Sequence, residues 1–135
     1  MNVEALQAAE IMTRHGISIE VIDPRTLFPL DIDLITKSVR KTGFCLIADC
    51  DWISSGVSAE IAASINNSCF GHIKGPIERI GFAHTPAPTV RELENEFYPN
   101  AFTIVRKIEK MLGLKNLNLD DEDFFSHQRK FKGPF

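Results

Sequence analysis

The residues best placed to do chemistry lie in one stretch, Asp49-Cys50-Asp51-Trp52-Ile53-Ser54-Ser55-Gly56-Val57-Ser58-Ala59-Glu60. Ser54, Ser55 and Gly56 sit where an apolar run gives way to a helical pattern, and such a turn offers backbone N–H groups and hydroxyls to a small anion. The same serines suffice as helix caps, so an anion turn at Ser54, Ser55 and Gly56 competes with a plain cap. Asp49 and Asp51 bracket the strand end where a metal or general base would sit, but no histidine or third carboxylate lies nearby in sequence. Cys50 stands between the two aspartates, which disfavour its thiolate, so it reads as a small packing residue. Glu60 falls in the first helical turn, where the helix dipole stabilises a carboxylate that has no other task. His15, His72, His84 and His127 are scattered and mostly loop-like. No catalytic, cofactor-binding or metal-binding residue is assigned. Trp52 is different, because a lone tryptophan in a polar turn is over-represented at interfaces; local packing is the competing reading. Asp51, Trp52 and Ile53 are assigned to a contact surface.

The elements that position this turn follow from periodicity. Phe44–Ala48 is a short apolar run of the kind buried on both faces in parallel sheets, and Val57, Ile61 and Ile65 mark one helix face after the turn. Upstream, residues 2–15 form a helix closed by Gly16. Ile17, Ile19 and Val21 alternate with Ser18 and Glu20, which predicts a strand to Asp23. Pro24 and Pro29 bracket a structured loop. Asp31 caps a second helix that Gly43 ends. Ile77–Ile80 is a brief strand at or near an edge. Pro86, Pro88 and Pro99 mark a surface excursion with a helical turn around residues 91–96. Asn100 caps a last helix with Ala101, Ile104, Val105, Ile108 and Leu112 on its apolar face and Gly113 behind it. Strands alternating with helices predict a three-layer α/β/α domain with a mostly parallel sheet and right-handed crossovers.

Composition narrows the function classes. The chain has 135 residues, 44% hydrophobic and 24% charged, with a net charge of −3. One soluble domain is the default at this length. The charge balance argues against nucleic acid, and no apolar run approaches the roughly 20 residues of a membrane helix. Cys45, Cys50 and Cys69 show no C-x-x-C spacing and no leader pattern precedes them, which implies a reducing, cytoplasmic compartment. No glycine-rich phosphate loop is present.

Two runs carry a resemblance. Ile19-Glu20-Val21-Ile22-Asp23-Pro24-Arg25-Thr26-Leu27-Phe28-Pro29-Leu30-Asp31 resembles the signature of the transketolase C-terminal domain, in the version found in beta subunits of 2-oxoacid dehydrogenase E1 components of the pyruvate and branched-chain type. Asp49, Trp52, Gly56, Val57, Ala59, Glu60, Ile61 and Ala62 are similar to the same family's second motif. Cys50-Asp51 stands where members have Glu-Gly, and Ser55 and Ser58 replace residues commonly glycine. The resemblance covers about residues 3–114, so 1–114 is expected to be the domain, and 115–135 a mobile or partner-docked tail.

The resemblance implies a domain that serves subunit assembly and acyltransferase docking. The parent enzyme would use thiamine diphosphate and magnesium to decarboxylate a 2-oxo acid oxidatively. Its expected partners are an E1 alpha-type subunit, a lipoyl acyltransferase and a further copy of this chain. Neither cofactor is expected on this chain, and by itself it is expected to be inactive. The resemblance also implies a central strand ahead of the first helix, which this chain lacks. The exposed strand edges are expected to be met by dimerisation or a rearranged sheet. The alternative reading is a stand-alone regulatory module that binds a small anion at Ser54–Ser58.

Overall fold

In the computed structural model, which describes residues 1–115, 117–120, 122 and 124, the chain forms five helices and two strands among those residues. In chain order they are α1 (Asn2–Arg14), α2 (Ile32–Thr42), β1 (Leu46–Ala48), α3 (Val57–Cys69), β2 (Glu78–Ile80), α4 (Arg91–Phe97) and α5 (Ala101–Leu112). β1 and β2 are parallel and pair Leu46 with Glu78, Ile47 with Arg79 and Ala48 with Ile80. A parallel pair needs a covered crossover, and the α3 segment supplies it.

The strand pair separates two apolar clusters because its side chains alternate between faces. Leu46, Ala48 and Ile80 join the cluster of α1 and α5, built on Ala8, Ile11, Met12, Ile104 and Val105. Cys45, Ile47 and Ile77 join the cluster of α2 and α3, built on Val39, Ile65 and Cys69. Helices therefore cover both faces of the strands. Ala8 and Ala101 have no exposed surface, which suits close contact between α1 and α5. Glu4 reinforces that contact: its carboxylate accepts a 2.7 Å bond from the Ala101 N–H, satisfying a free donor at the start of α5.

Local signals placed the helix ends. Asp31 Oδ1 accepts from the Leu34 N–H at 3.0 Å, and Gly43 closes α2 in the left-handed conformation at φ 80°. Asn100 and Thr103 form a reciprocal capping box on α5, and Gly113 ends it at φ 64°. The loop between Pro24 and Pro29 is held by Thr26 Oγ1 donating to the Pro29 carbonyl at 2.9 Å, with a cis bond between Phe28 and Pro29.

The strand predicted over Ile17–Asp23 is a correction. The segment is irregular and joins no ladder among the described residues. Its alternation is real, with Ile17, Ile19 and Val21 half-buried and Ser18 and Glu20 exposed. Alternation reports which side chains are covered; a strand also needs a neighbouring backbone, and here a cleft separates the segment from β1. The small two-stranded sheet thus replaces the expected larger one.

Part of the tail lies on the body of the protein. Leu119 and Phe124 are buried against α1 and α5. Burial raises the pKa of the Glu109 carboxyl, but bonds from the Leu117 N–H and Arg106 Nη1 outweigh it and leave the group below its ordinary value. Residues 125–135, including His127 and the basic run Arg129–Lys132, lie outside the described residues.

Candidate functional site

The turn after β1 is stitched to the end of β2. The Asp49 N–H donates to the Ile80 carbonyl at 3.0 Å, and the Phe82 N–H donates to the Asp51 carbonyl at 2.9 Å. Asp51 Oδ1 accepts from the Trp52 N–H at 2.7 Å, and Arg79 Nη1 reaches the Ile53 carbonyl at 2.8 Å. Asp51 is therefore occupied in shaping the turn.

Two glycines make the closeness of these segments sterically necessary. A methyl group on Gly56 would collide with the Trp52 carbonyl oxygen and lie 3.2 Å from its carbon. One on Gly81 would collide with the Asp51 carbonyl oxygen and lie 3.0 Å from Ile53 Cγ1. The turn can fold back on α3 and β2 only where both side chains are absent.

Trp52 leads an aromatic cluster drawn from three segments. Its ring meets Phe82 edge-on at 5.8 Å, His84 at 5.7 Å and Phe97 at 6.1 Å. Phe82 stacks on Phe97 at 5.0 Å, and Tyr98 stands edge-on to both. The edge-on and stacked arrangements among Trp52, Phe82, Phe97 and Tyr98 are favourable aromatic geometries. Local packing and exposure coexist: Trp52 remains 39% exposed, Ile53 36% and Tyr98 42%. Residue spacing did not reveal Phe82, His84, Phe97 and Tyr98 as its companions, because the contacts depend on β2 and α4 meeting the turn. Phe28, on the Pro24–Pro29 loop, is a second aromatic left open, at 95% exposure.

The serines do not cap α3. Gly56 is the N-cap residue, with no side-chain capping bond, while Ser54 and Ser55 are exposed and Ser55 adopts φ 62°. The reading of these hydroxyls as sufficient caps is thus corrected: the left-handed turn at Ser55 brings Gly56 under the Trp52 carbonyl and makes Gly56 the last residue before α3. Among the described residues, no group of three His, Cys, Asp or Glu side chains gathers where it could hold a metal ion. No described helix is long and apolar enough to cross a membrane.

The three thiols are free and differ in setting. Cys50 is exposed, whereas burial, aided by the neighbouring Cys69, pushes the Cys45 thiol from 9.0 to about 11. At about pH 8 the thiolate fraction of Cys45 is then lowered about 100-fold. Iodoacetamide should modify Cys50 first and Cys45 about 100-fold more slowly than an ordinary thiol. Peptide mass mapping over time checks this, and equal rates at the two sites would contradict the buried setting.

Comparison of the sequence with known proteins matches it to a family. The family described as "Transketolase, C-terminal domain" matches residues 1–104. The beta subunit of the pyruvate dehydrogenase E1 component of Saccharomyces cerevisiae mitochondria is 37% identical over 113 residues, covering 82% of this chain and 31% of the yeast protein. The corresponding mitochondrial protein of Pisum sativum is 41% identical over 106 residues, covering 78% of this chain and 30% of its own length. The beta subunit of the acetoin:2,6-dichlorophenolindophenol oxidoreductase of Bacillus subtilis is 38% identical over 114 residues, covering 84% and 33%. The chain spans about a third of the length of these curated relatives. With the Trp52 turn on a parallel strand pair between two helix layers and a family match over residues 1–104, the chain belongs to the transketolase C-terminal domain family.

Proposed function

We propose that this chain is the assembly domain of a 2-oxoacid dehydrogenase E1 beta-type subunit, with the chemistry performed elsewhere in the parent enzyme. The observation that carries the reading is the half-open aromatic turn, where Trp52, Ile53 and Tyr98 keep 39%, 36% and 42% of their surface exposed although rigid hydrogen bonds hold the backbone beneath. Large aromatics held in a fixed frame bury much area at little entropic cost, which suits a subunit contact. The names of the relatives support an E1 alpha-type subunit as the first partner. A lipoyl acyltransferase and a second copy of this chain complete the proposed set, in a three-layer α/β/α domain whose sheet is mostly parallel once assembled.

Thiamine diphosphate with magnesium supplies the decarboxylation chemistry in an enzyme of this kind. Among the described residues no group of three His, Cys, Asp or Glu side chains converges, and no step is assigned to them. The three free thiols suit the cytoplasmic, reducing setting that this reading carries.

The interface role has a direct test. Trp52→Ala should weaken association with an E1 alpha-type subunit by about 2 kcal/mol or more, the scale of a central aromatic anchor. The melting transition of the isolated chain should fall by less, because the indole is 39% exposed. Titration calorimetry and thermal denaturation on the same preparations compare the two losses. Equal losses would remove the interface role.

A further inference from the structure

Cations gather where α2 and α3 end. Lys37, Arg40 and Lys41 lie on the exposed face of α2, opposite the Ile32, Ile35 and Val39 side that packs with Ile65 of α3. Lys74 joins them from the loop after α3. Its N–H donates to the Gly43 carbonyl at 2.8 Å, and its stem crosses the end of α2, where a methyl group on Gly43 would stand 2.7 Å from Lys74 Cδ. Gly43 therefore makes room for this cation as well as ending the helix. The ammonium comes to rest 5.9 Å from the centre of the Phe44 ring. Arg40 Nη2 donates to the Ser68 carbonyl at 2.6 Å, which ties the cationic face to the end of α3. Phe70 closes that helix and is 82% exposed, with His72 Nδ1 at 3.3 Å from its carbonyl oxygen.

A helix C-terminus favours cations, and this accounts for Arg40 and Lys41 in the last turn of α2. It accounts neither for Lys74, brought over from another segment, nor for an aromatic ring left open to water. Lys41 is matched by Glu20 at 3.1 Å, whereas Lys37, Arg40 and Lys74 enter no ion pair among the described residues. Asp33, one turn before Lys37 on the same helix, marks the limit of the patch. On a chain with a net charge of −3, these cations and Phe70 form a local surface of opposite sign to the whole.

That pairing of charge and ring selects the partner. A nucleic acid requires a basic stripe along its backbone, and the negative charge of the whole chain opposes an array of phosphates. An anionic membrane presents the same opposition, and a lone aromatic inserts little apolar area. A short acidic segment carrying one apolar side chain satisfies both features, with about three carboxylates for the cations. Arg40 can take part while still bound to Ser68, because a guanidinium carries further N–H donors.

We propose that the adjoining ends of α2 and α3 are a docking surface for an acidic segment of a partner protein, with Phe70 as the apolar anchor and Lys37, Arg40 and Lys74 as the charge contacts. This surface is distinct from the aromatic turn. Trp52 precedes α3 and Phe70 follows it, so the 13 residues of that helix, about 20 Å, lie between them.

The test uses the full chain and an amidated, fluorescein-labelled peptide, Gly-Ser-Asp-Glu-Leu-Asp-Asp-Gly, in fluorescence anisotropy. Saturable one-to-one binding is expected at about 50 mM salt, weakened about tenfold at about 300 mM. Lys37→Glu combined with Lys74→Glu should weaken binding about tenfold or more. Phe70→Ser should weaken it about fivefold and leave the salt dependence unchanged. Lys37→Gln with Lys74→Gln removes the charges without reversing them and should give an intermediate loss. All these side chains are exposed, so the melting transition should stay in place. Absence of saturation overturns the proposal, as does binding that the charge variants leave unchanged. Tighter binding to vesicles of phosphatidylcholine and phosphatidylserine, or to a single-stranded oligonucleotide, would assign the surface to another class of ligand and overturn it too. Trp52→Ala should not alter peptide binding, so the outcome is independent of whether an E1 alpha-type subunit binds the aromatic turn.

Discussion

Gly56→Ala should lower stability by about 3 kcal/mol, with a drop in melting temperature of roughly 10 °C or more for a domain of this size. The conformation at Gly56 is not the cause, since its φ of −81° is open to any residue. The cause is the Trp52 carbonyl oxygen, against which the new methyl group would be driven. A backbone carbonyl cannot swing aside as a long side chain can, so either the turn lifts from α3 or the helix start shifts. Gly71→Ala supplies the contrast. Gly71 lies at φ 81° with nothing near its missing side chain, so alanine there costs only the left-handed strain, about 1 kcal/mol. Chemical denaturation of both variants separates the two effects. If Gly56→Ala costs no more than Gly71→Ala, the turn is not clamped as described, and the fixed presentation of Trp52 loses its basis.

The second large effect lies in the contact between α1 and α5. Ile11 is 1% exposed and sits in the cluster with Met12, Ile104 and Val105. Ile11→Ala should cost about 2–5 kcal/mol, from lost transfer energy and from the cavity left behind. Ile11→Val, which removes one methyl group, should cost about 0.5–1.5 kcal/mol. A domain of this size has only about 5–15 kcal/mol in total, so the alanine variant approaches the limit of folding. Urea titration gives both numbers. A loss below about 1 kcal/mol for alanine would mean that α1 frays independently of α5, against the packing and the Glu4 bond to Ala101.

What could be read from the sequence was what is decided locally. Asp31 with Gly43, and Asn100 with Gly113, marked helix ends because a cap is settled within one turn of the chain. The apolar runs at residues 44–48 and 77–80 marked β1 and β2, and these two had each other's backbone to pair with. Ile17–Asp23 failed as a strand because pairing depends on a backbone elsewhere, and the place beside it is a cleft. The helix cap moved from the serines to Gly56 because of a contact with Trp52 that the identity of Ser54 and Ser55 does not reveal. Trp52 was legible as an exposed aromatic, but its frame was not: Phe82, His84, Phe97 and Tyr98 reach it only after β2 and α4 are placed. The family motifs joined these distant parts. They pointed to the fold where periodicity alone stopped at three short strands.

The central proposal is that this chain serves as the assembly domain of an E1 enzyme. Sedimentation velocity of the chain with the E1 alpha-type subunit from the same genome tests it most directly. The account predicts a co-sedimenting complex that Trp52→Ala disrupts while the substituted chain remains folded. Two species sedimenting independently at concentrations well above micromolar, with the unsubstituted chain fully folded, would contradict it.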